Sequence, residues 1–135
     1  MHDLHSEMSK NMPQNAQPSQ KYVIWIPPGH LSPENNPDDN NADVHLYFED
    51  GSHWVTTVYT YTNVQTLRRS FVATGECLHG AYFCDPSMLL IDRLTHQRIS
   101  EVVSELIKNN ELPSAFEYCG KEELQAVQKL FQNIS

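Results

Sequence analysis

The sequence predicts a single α+β domain, in which an antiparallel or mixed sheet of about five strands packs against three helices. Its 135 residues are enough for one domain with an apolar core of its own. Residues 44–60 alternate apolar and polar side chains around a Glu-Asp-Gly-Ser turn, as a β-hairpin does. After Thr95, apolar residues recur at helical spacing, which predicts a helix that lies on the sheet.

The first part of the chain divides into a tail, a strand and a loop. Residues 1–20 are rich in Asn, Gln, Ser, Met and Pro, which predicts a mobile tail before a domain of residues 21–135. The apolar run at 22–27 predicts a strand buried on both faces, ended by Pro27. The Pro-, Asn- and Asp-rich stretch up to Asp43 predicts a long loop, the kind of segment in which binding functions tend to lie.

The hairpin predicts strands at 44–48 and 53–60, with Gly51 supplying the positive φ of a tight turn. Side chains alternate across a strand, so each face can be read from the sequence. The predicted core face carries Val44, Leu46, Phe48, Trp54 and Val58. The predicted outer face carries His45, Tyr47, His53, Val55, Thr57 and Tyr59.

The remaining elements follow from local signals. Helices are predicted at 63–74, 96–108 and 121–133, and short apolar strands at 81–84 and 88–91, the latter central in the sheet. Gly75 is expected to end the first helix in a left-handed conformation, and Thr95 to cap the second.

Charge and cysteine content narrow the classes of function. The formal net charge is -8, so nucleic acids and anionic membranes are poor partners, and a basic protein is a better one. The three cysteines, Cys77, Cys84 and Cys119, match neither a disulfide framework nor a standard zinc pattern. We expect no metal and no cofactor. No secretory signal or membrane-spanning run is visible, which favours a cytoplasmic location.

Catalytic motifs are equally absent from the sequence. It contains no G-x-S-x-G elbow, glycine-rich phosphate loop, H-E-x-x-H or C-x-x-C motif. His45 and His53 flank the hairpin turn and could face each other; with Glu49 and Asp50 they could form an acid–base site of a small enzyme. A structural or regulatory domain is a further alternative. We expect a binding protein rather than an enzyme.

The central stretch resembles a known group of proteins. Phe48-Glu-Asp-Gly-Ser-His-Trp54, followed by Thr74-Gly-Glu-Cys-Leu-His-Gly-Ala-Tyr-Phe83 and an apolar strand that ends at Asp92, is similar to small bacterial immunity proteins of toxin–immunity systems, including contact-dependent growth inhibition. The similarity covers residues 44–117, and the group has an aromatic residue where this chain has Cys84.

This resemblance implies a protein that binds and neutralises the C-terminal domain of a cognate toxin. A toxin that cleaves nucleic acid is basic, and an acidic inhibitor would be steered towards it. The residues expected to bind it are in the acidic loop, the hairpin turn and the outer face: Asp38, Asp39, Asp43, His45, Tyr47, Glu49, Asp50, His53, Thr57 and Tyr59.

Overall fold

The hairpin of the sequence forms the middle of a five-stranded sheet in the computed structural model, which describes residues 21–132. The strands are β1 Tyr22–Trp25, β2 Asn41–Phe48, β3 Ser52–Thr60, β4 Met88–Ile91 and β5 Glu117–Lys121. The helices are α1 Tyr61–Thr74, α2 His96–Lys108, α3 Leu112–Ala115 and α4 Leu124–Gln132. The predicted α+β class is therefore confirmed; the predicted tail at 1–20 and the last residue of the predicted helix 121–133 lie outside the described residues.

The sheet is organised around β3. On one side, β3 pairs with β2, which in turn pairs with β1, and both pairings are antiparallel. On the other side, two short strands lie end to end: β4 runs parallel to β3 along Thr57–Thr60, and β5 runs antiparallel along Ser52–Val55. The sheet is mixed because α1 carries the chain from the end of β3 back to the start of β4, as a parallel connection requires.

One face of the sheet forms the core. The predicted core residues of the hairpin are all buried, and Leu46, Phe48 and Val58 have 0% exposure. Helix α2 covers this face with the side chains that recur at helical spacing, namely Ile99, Val103 and Ile107. Burial of an aliphatic or aromatic side chain contributes about 1.5–3 kcal/mol, so this layer stabilises both the sheet and its register.

Local capping fixes the ends of the helices. The Thr60 side chain accepts a hydrogen bond from the Asn63 backbone N–H, so α1 begins at Tyr61, two residues before its predicted start. Gly75, with φ of 90°, ends α1 as predicted, and Thr95 caps α2 by accepting from the Arg98 N–H.

The turn after α1 has an unusual backbone, which the sequence does not predict. In Glu76–Gly80, three consecutive non-glycine residues have left-handed dihedral angles: Cys77 (φ 51°), Leu78 (φ 52°) and His79 (φ 56°). For L-residues this conformation costs about 1–2 kcal/mol each. We call this segment the left-handed turn.

Several predictions about the sheet and the helices were wrong. The last helix begins at Leu124 rather than at residue 121, because Lys121 ends strand β5. Residues 81–84 form no strand, because after the left-handed turn they pack beside α1, where Phe83 contacts Phe71. Strand β1 is not buried on both faces: it lies at an edge of the sheet, and Trp25 is 40% exposed. β4 is likewise not central: among the described residues it pairs on one side alone, with β3, and stands at the end of the strand order opposite β1.

Two elements were missed altogether. Strand β5 is polar and interrupted by Gly120, so its sequence gives no strand signal, and it is ordered by pairing with β3. The single turn of α3, with Pro113 near its start, adds a fourth helix to the three predicted.

We predict that Gly80→Ala destabilises the fold more than Gly29→Ala does. Both glycines have positive φ, +81° and +94°, so alanine is strained at either position. A Cβ at Gly80 would lie 2.9 Å from the Arg68 carbonyl oxygen, whereas one at Gly29 meets nothing within 4 Å. We expect losses in the free energy of unfolding of about 2–4 kcal/mol and about 1 kcal/mol, respectively, measured by urea denaturation. If both variants lost the same free energy of unfolding, the backbone would have moved to relieve the close contact between the new Cβ at position 80 and the Arg68 carbonyl oxygen.

Candidate functional site

The face of the sheet opposite α2 carries the predicted site residues of the hairpin. We call it the polar face; its members on the strands are Trp25, Asp43, His45, Tyr47, His53, Val55, Thr57 and Tyr59. Their side chains come together because the register sets His45 opposite Val55 and Tyr47 opposite His53. The six residues predicted for the outer face of the hairpin are all half-buried, while their neighbours along each strand are buried in the core. The prediction of the two faces is confirmed.

Rings dominate the first half of this face. The rings of Tyr47 and His53 are stacked, with centroids 4.3 Å apart, and those of His45 and His53 are stacked at 5.2 Å. Trp25 reaches the cluster from β1 and meets the His45 ring edge-on at 5.2 Å. Packed rings lose little conformational entropy on binding, so such a cluster is suited to contact with another molecule.

The two histidines also form a hydrogen-bonded chain. His45 Nδ1 lies 2.9 Å from His53 Nε2, and His53 Nδ1 lies 3.2 Å from the Glu122 carboxylate. Since a carboxylate accepts, His53 donates from Nδ1; neutral His53 then accepts at Nε2 from the Nδ1–H of His45. This arrangement leaves Nε2 of His45 as the unprotonated nitrogen at the end of the chain.

Burial and the second imidazole both lower the pKa of His45 from its ordinary value of 6.5, while Asp43 acts in the opposite direction. A depressed pKa means that unfolded His45 takes up a proton first as the pH falls. His45 therefore makes its full contribution to the free energy of unfolding above pH 6.5, where it is neutral in both states. That contribution is lost as the pH falls through the pKa of folded His45.

We predict an NMR titration midpoint for His45 below 6.5. We also expect His45→Gln to reduce the loss of stability between about pH 7.5 and about pH 5, because this variant cannot bind the proton. A midpoint at or above 6.5 would contradict the burial of this imidazole among Trp25, Tyr47 and His53.

In the other half of the polar face, the hydroxyl groups of Tyr59 and Thr57 donate hydrogen bonds to carboxylates. Tyr59 donates to the Asp85 carboxylate, and burial together with this bond raises the pKa of its phenol. Its ring meets Phe83 edge-on at 5.1 Å, which joins the face to the segment that follows the left-handed turn. Thr57 donates to Asp43, 2.8 Å away, and thereby orients an exposed carboxylate at the start of β2.

The predicted acidic residues divide into two groups. Asp38, Asp43 and Glu49 are exposed. Asp39 accepts hydrogen bonds from Asn63 and Thr66, which lower the pKa of its carboxyl group and tie the loop to α1.

Asp50 also has a local role. It accepts from both the backbone N–H and the hydroxyl of Ser52, and Lys121 Nζ lies 3.8 Å away. Asp39 and Asp50 therefore order the loop and the hairpin turn, whereas the carboxylates of Asp38, Asp43 and Glu49 are exposed to solvent.

The long loop before β2 is built on asparagine side chains. The amide of Asn35 donates to the carbonyl groups of Gly29 and His30, and that of Asn40 donates to His30. Between this loop and the start of α2 lies an open cavity of about 410 Å³, lined by residues that include Leu31 and His96. Its lining is largely apolar and contains none of the predicted binding residues.

Comparison with known proteins provides no relative from which the role of the site could be inferred. No family model matches the chain, and no curated protein or solved structure is significantly similar to it. Within residues 21–132, no group of three or more His, Cys, Asp or Glu side chains is arranged to hold a metal ion. No helix among these residues is both long and apolar enough to cross a membrane.

Two members of the site were missed by sequence reasoning. Trp25 was assigned to a buried strand, and its place beside His45 depends on the register between β1 and β2. Glu122 is 69 positions from His53 and reaches it because β5 pairs with the start of β3. No local pattern in the sequence signals either contact.

Proposed function

We propose that this protein is an immunity protein, which binds and neutralises the C-terminal domain of a cognate bacterial toxin in the cytoplasm. The proposal rests mainly on the polar face. This face is a layer of packed, half-exposed rings on a rigid sheet, and exposed carboxylates border it. The resemblance of residues 44–117 to immunity proteins supplies the class of partner.

The geometry of this face suits a protein interface. Energetically dominant interface residues are enriched in Trp and Tyr and are held in place by their neighbours. Tyr47 stacks on His53, and Trp25 packs on His45, so both side chains are positioned before a partner arrives. Preorganised side chains lose less entropy on association, which strengthens binding at a given contact area.

The charge of the chain favours a basic partner. With a formal net charge of -8, the protein would attract a cationic toxin domain at long range. Toxins that cleave nucleic acids carry such charge because their substrates are polyanions. Asp43, oriented by Thr57, lies on the face that would meet this partner.

Co-expression tests this proposal in cells. Bacteria that express the toxin domain encoded by the neighbouring gene should grow when they also express the wild-type protein. They should fail to grow with the double variant Trp25→Ala/Tyr47→Ala. A double variant on the opposite side of the molecule, Ser104→Ala/Glu105→Ala, is the control for the location of the change and should protect. If the wild-type protein does not protect, the proposal is wrong.

A second candidate function rests on the chain from Glu122 through His53 to His45. Distances of 3.2 Å and 2.9 Å would let Glu122 orient His53 and let His45 act as a general base. An assay for hydrolysis of RNA and DNA by the wild-type protein, and by His45→Gln and Glu122→Gln, tests this alternative. Absence of hydrolysis by the wild-type protein would exclude a nuclease that uses this chain.

A further inference from the structure

The left-handed turn is held in its strained conformation by contacts from both of its ends. The backbone N–H groups of Ala81 and Tyr82 donate to the Cys77 carbonyl, and His79 Nδ1 lies 3.3 Å from the Val72 carbonyl. Arg68 donates from Nε to the Gly80 carbonyl at 3.2 Å. These bonds fix the turn on α1.

Gly80 allows the turn to lie this close to the helix. It is buried, and a Cβ at this position would lie 2.9 Å from the Arg68 carbonyl oxygen and 3.3 Å from Val72 Cγ2. The strain is therefore maintained by contacts with α1, and strained residues held in this way cluster at active sites, ligand-binding sites and switch regions.

The strained backbone points an apolar side chain into solvent. Leu78, in the middle of the turn, is 74% exposed, the highest value among the exposed large apolar residues of the described chain. Val72 and Tyr82, which border the turn, are 55% and 57% exposed. We call Val72, Leu78 and Tyr82 the apolar knob. A folding core gains nothing from a strained turn whose central leucine remains in water, so the arrangement requires another reason.

We propose that the apolar knob is the anchor of the protein–protein interface, with Leu78 inserting into an apolar pocket of the toxin domain. This inference rests on the proposed function and names a part of the interface that lies outside the polar face. The two regions are joined through Phe83, which contacts Tyr59 of the polar face and Phe71 of α1.

The net charge of the chain favours a basic toxin domain, rather than a second copy of the chain, as the partner that binds the knob. Two copies, each with a formal net charge of -8, repel one another, whereas a basic domain is attracted. The border of the knob is itself electrically balanced, since it carries Arg68 and the exposed Glu76. Long-range attraction therefore comes from the acidic residues, while the knob provides apolar contact at short range.

The substitution Leu78→Asn separates the role of this side chain from that of the backbone. Asparagine adopts left-handed angles readily, so the turn is retained while its apolar tip is removed. Leu78→Met keeps the apolar character. Tyr61→Asn, at the other end of α1, removes a side chain with 59% exposure outside the knob and is the matched control.

Calorimetric titration of each variant with the purified toxin domain encoded by the neighbouring gene tests the proposal. We expect Leu78→Asn to raise the Kd about 10- to 100-fold, and Leu78→Met and Tyr61→Asn to change it by less than about threefold. The thermal midpoint of Leu78→Asn should equal or exceed that of the wild-type protein.

The possible results distinguish this inference from the proposed function. Wild-type binding with an unchanged Kd for Leu78→Asn would overturn the anchor and leave the proposed function standing. No binding by the wild-type protein would overturn both. Sedimentation of the isolated protein completes the test: a wild-type dimer that Leu78→Asn dissociates would assign the knob to a second copy and overturn the proposed occupant.

Discussion

Replacing Phe48 with alanine is expected to lower the free energy of unfolding by about 3–5 kcal/mol, one of the largest effects of any single substitution in this chain. The side chain has 0% exposure and lies in the core of the sheet, where Tyr22 packs against its ring at 5.6 Å. Truncation would remove the apolar contact and leave a cavity that the rigid hairpin cannot close.

Urea denaturation measures this loss, with Phe83→Ala as the control for the same chemical change. Phe83 is half-buried and its ring contacts Tyr59 and Phe71 outside the core, so its truncation should cost less than that of Phe48. If Phe48→Ala cost less than about 1 kcal/mol, the core would not be centred on the hairpin.

Reversing the charge of Asp38, Asp43 and Glu49 to lysine together is expected to weaken toxin binding by at least about 100-fold at low salt. All three carboxylates are exposed and belong to the acidic loop, the polar face and the hairpin turn. The effect should lie mainly in the association rate and should shrink as salt rises, because screening acts on exposed charges. Stopped-flow association at two ionic strengths measures it.

The control is a second triple variant with the same change in net charge. Glu101, Glu105 and Glu111 are exposed and lie on or just after α2, which covers the opposite side of the sheet. Their reversal should slow association much less. Equal slowing by both triple variants would mean that the total charge, rather than the polar face, directs the encounter.

Much of the fold could be predicted because its signals are local. The alternation in the hairpin placed Val44, Leu46 and Phe48 on the core side and His45 and Tyr47 on the other, since a strand has only two faces. The apolar stripe of α2 and its Thr95 cap were also predicted, because neighbouring residues in the sequence signal both of them.

The failures occurred where tertiary contacts decide the structure. Ala81-Tyr-Phe-Cys84 has the composition of a strand, yet the left-handed turn directs it against α1 and away from any pairing partner. Glu117–Lys121 lacks a strand signal, yet it pairs with β3 because α3 delivers it to an open edge.

The contacts of the candidate site were likewise predicted only where the local sequence determines them. Contact between His45 and His53 was predicted as part of the alternative acid–base site, because a tight turn limits the register across the hairpin; the two rings meet diagonally, since Tyr47 is directly opposite His53. Their partners were not, since Glu122 and Trp25 arrive on strands whose pairing depends on the whole sheet. The local roles of Asp39 and Asp50 could not be read from charge alone, which does not reveal whether a carboxylate is used within the fold.

Titration of the purified toxin domain with this protein, followed by both heat of binding and residual toxin activity, would show whether the polar face binds and neutralises the toxin. We expect a 1:1 complex, with activity falling to zero at equivalence for the wild-type protein. The variant Trp25→Ala/Tyr47→Ala should bind at least about tenfold more weakly and leave activity behind at the same ratio. Full inhibition by that variant would contradict the assignment of the polar face, and activity that persists beyond equivalence with the wild-type protein would contradict neutralisation itself.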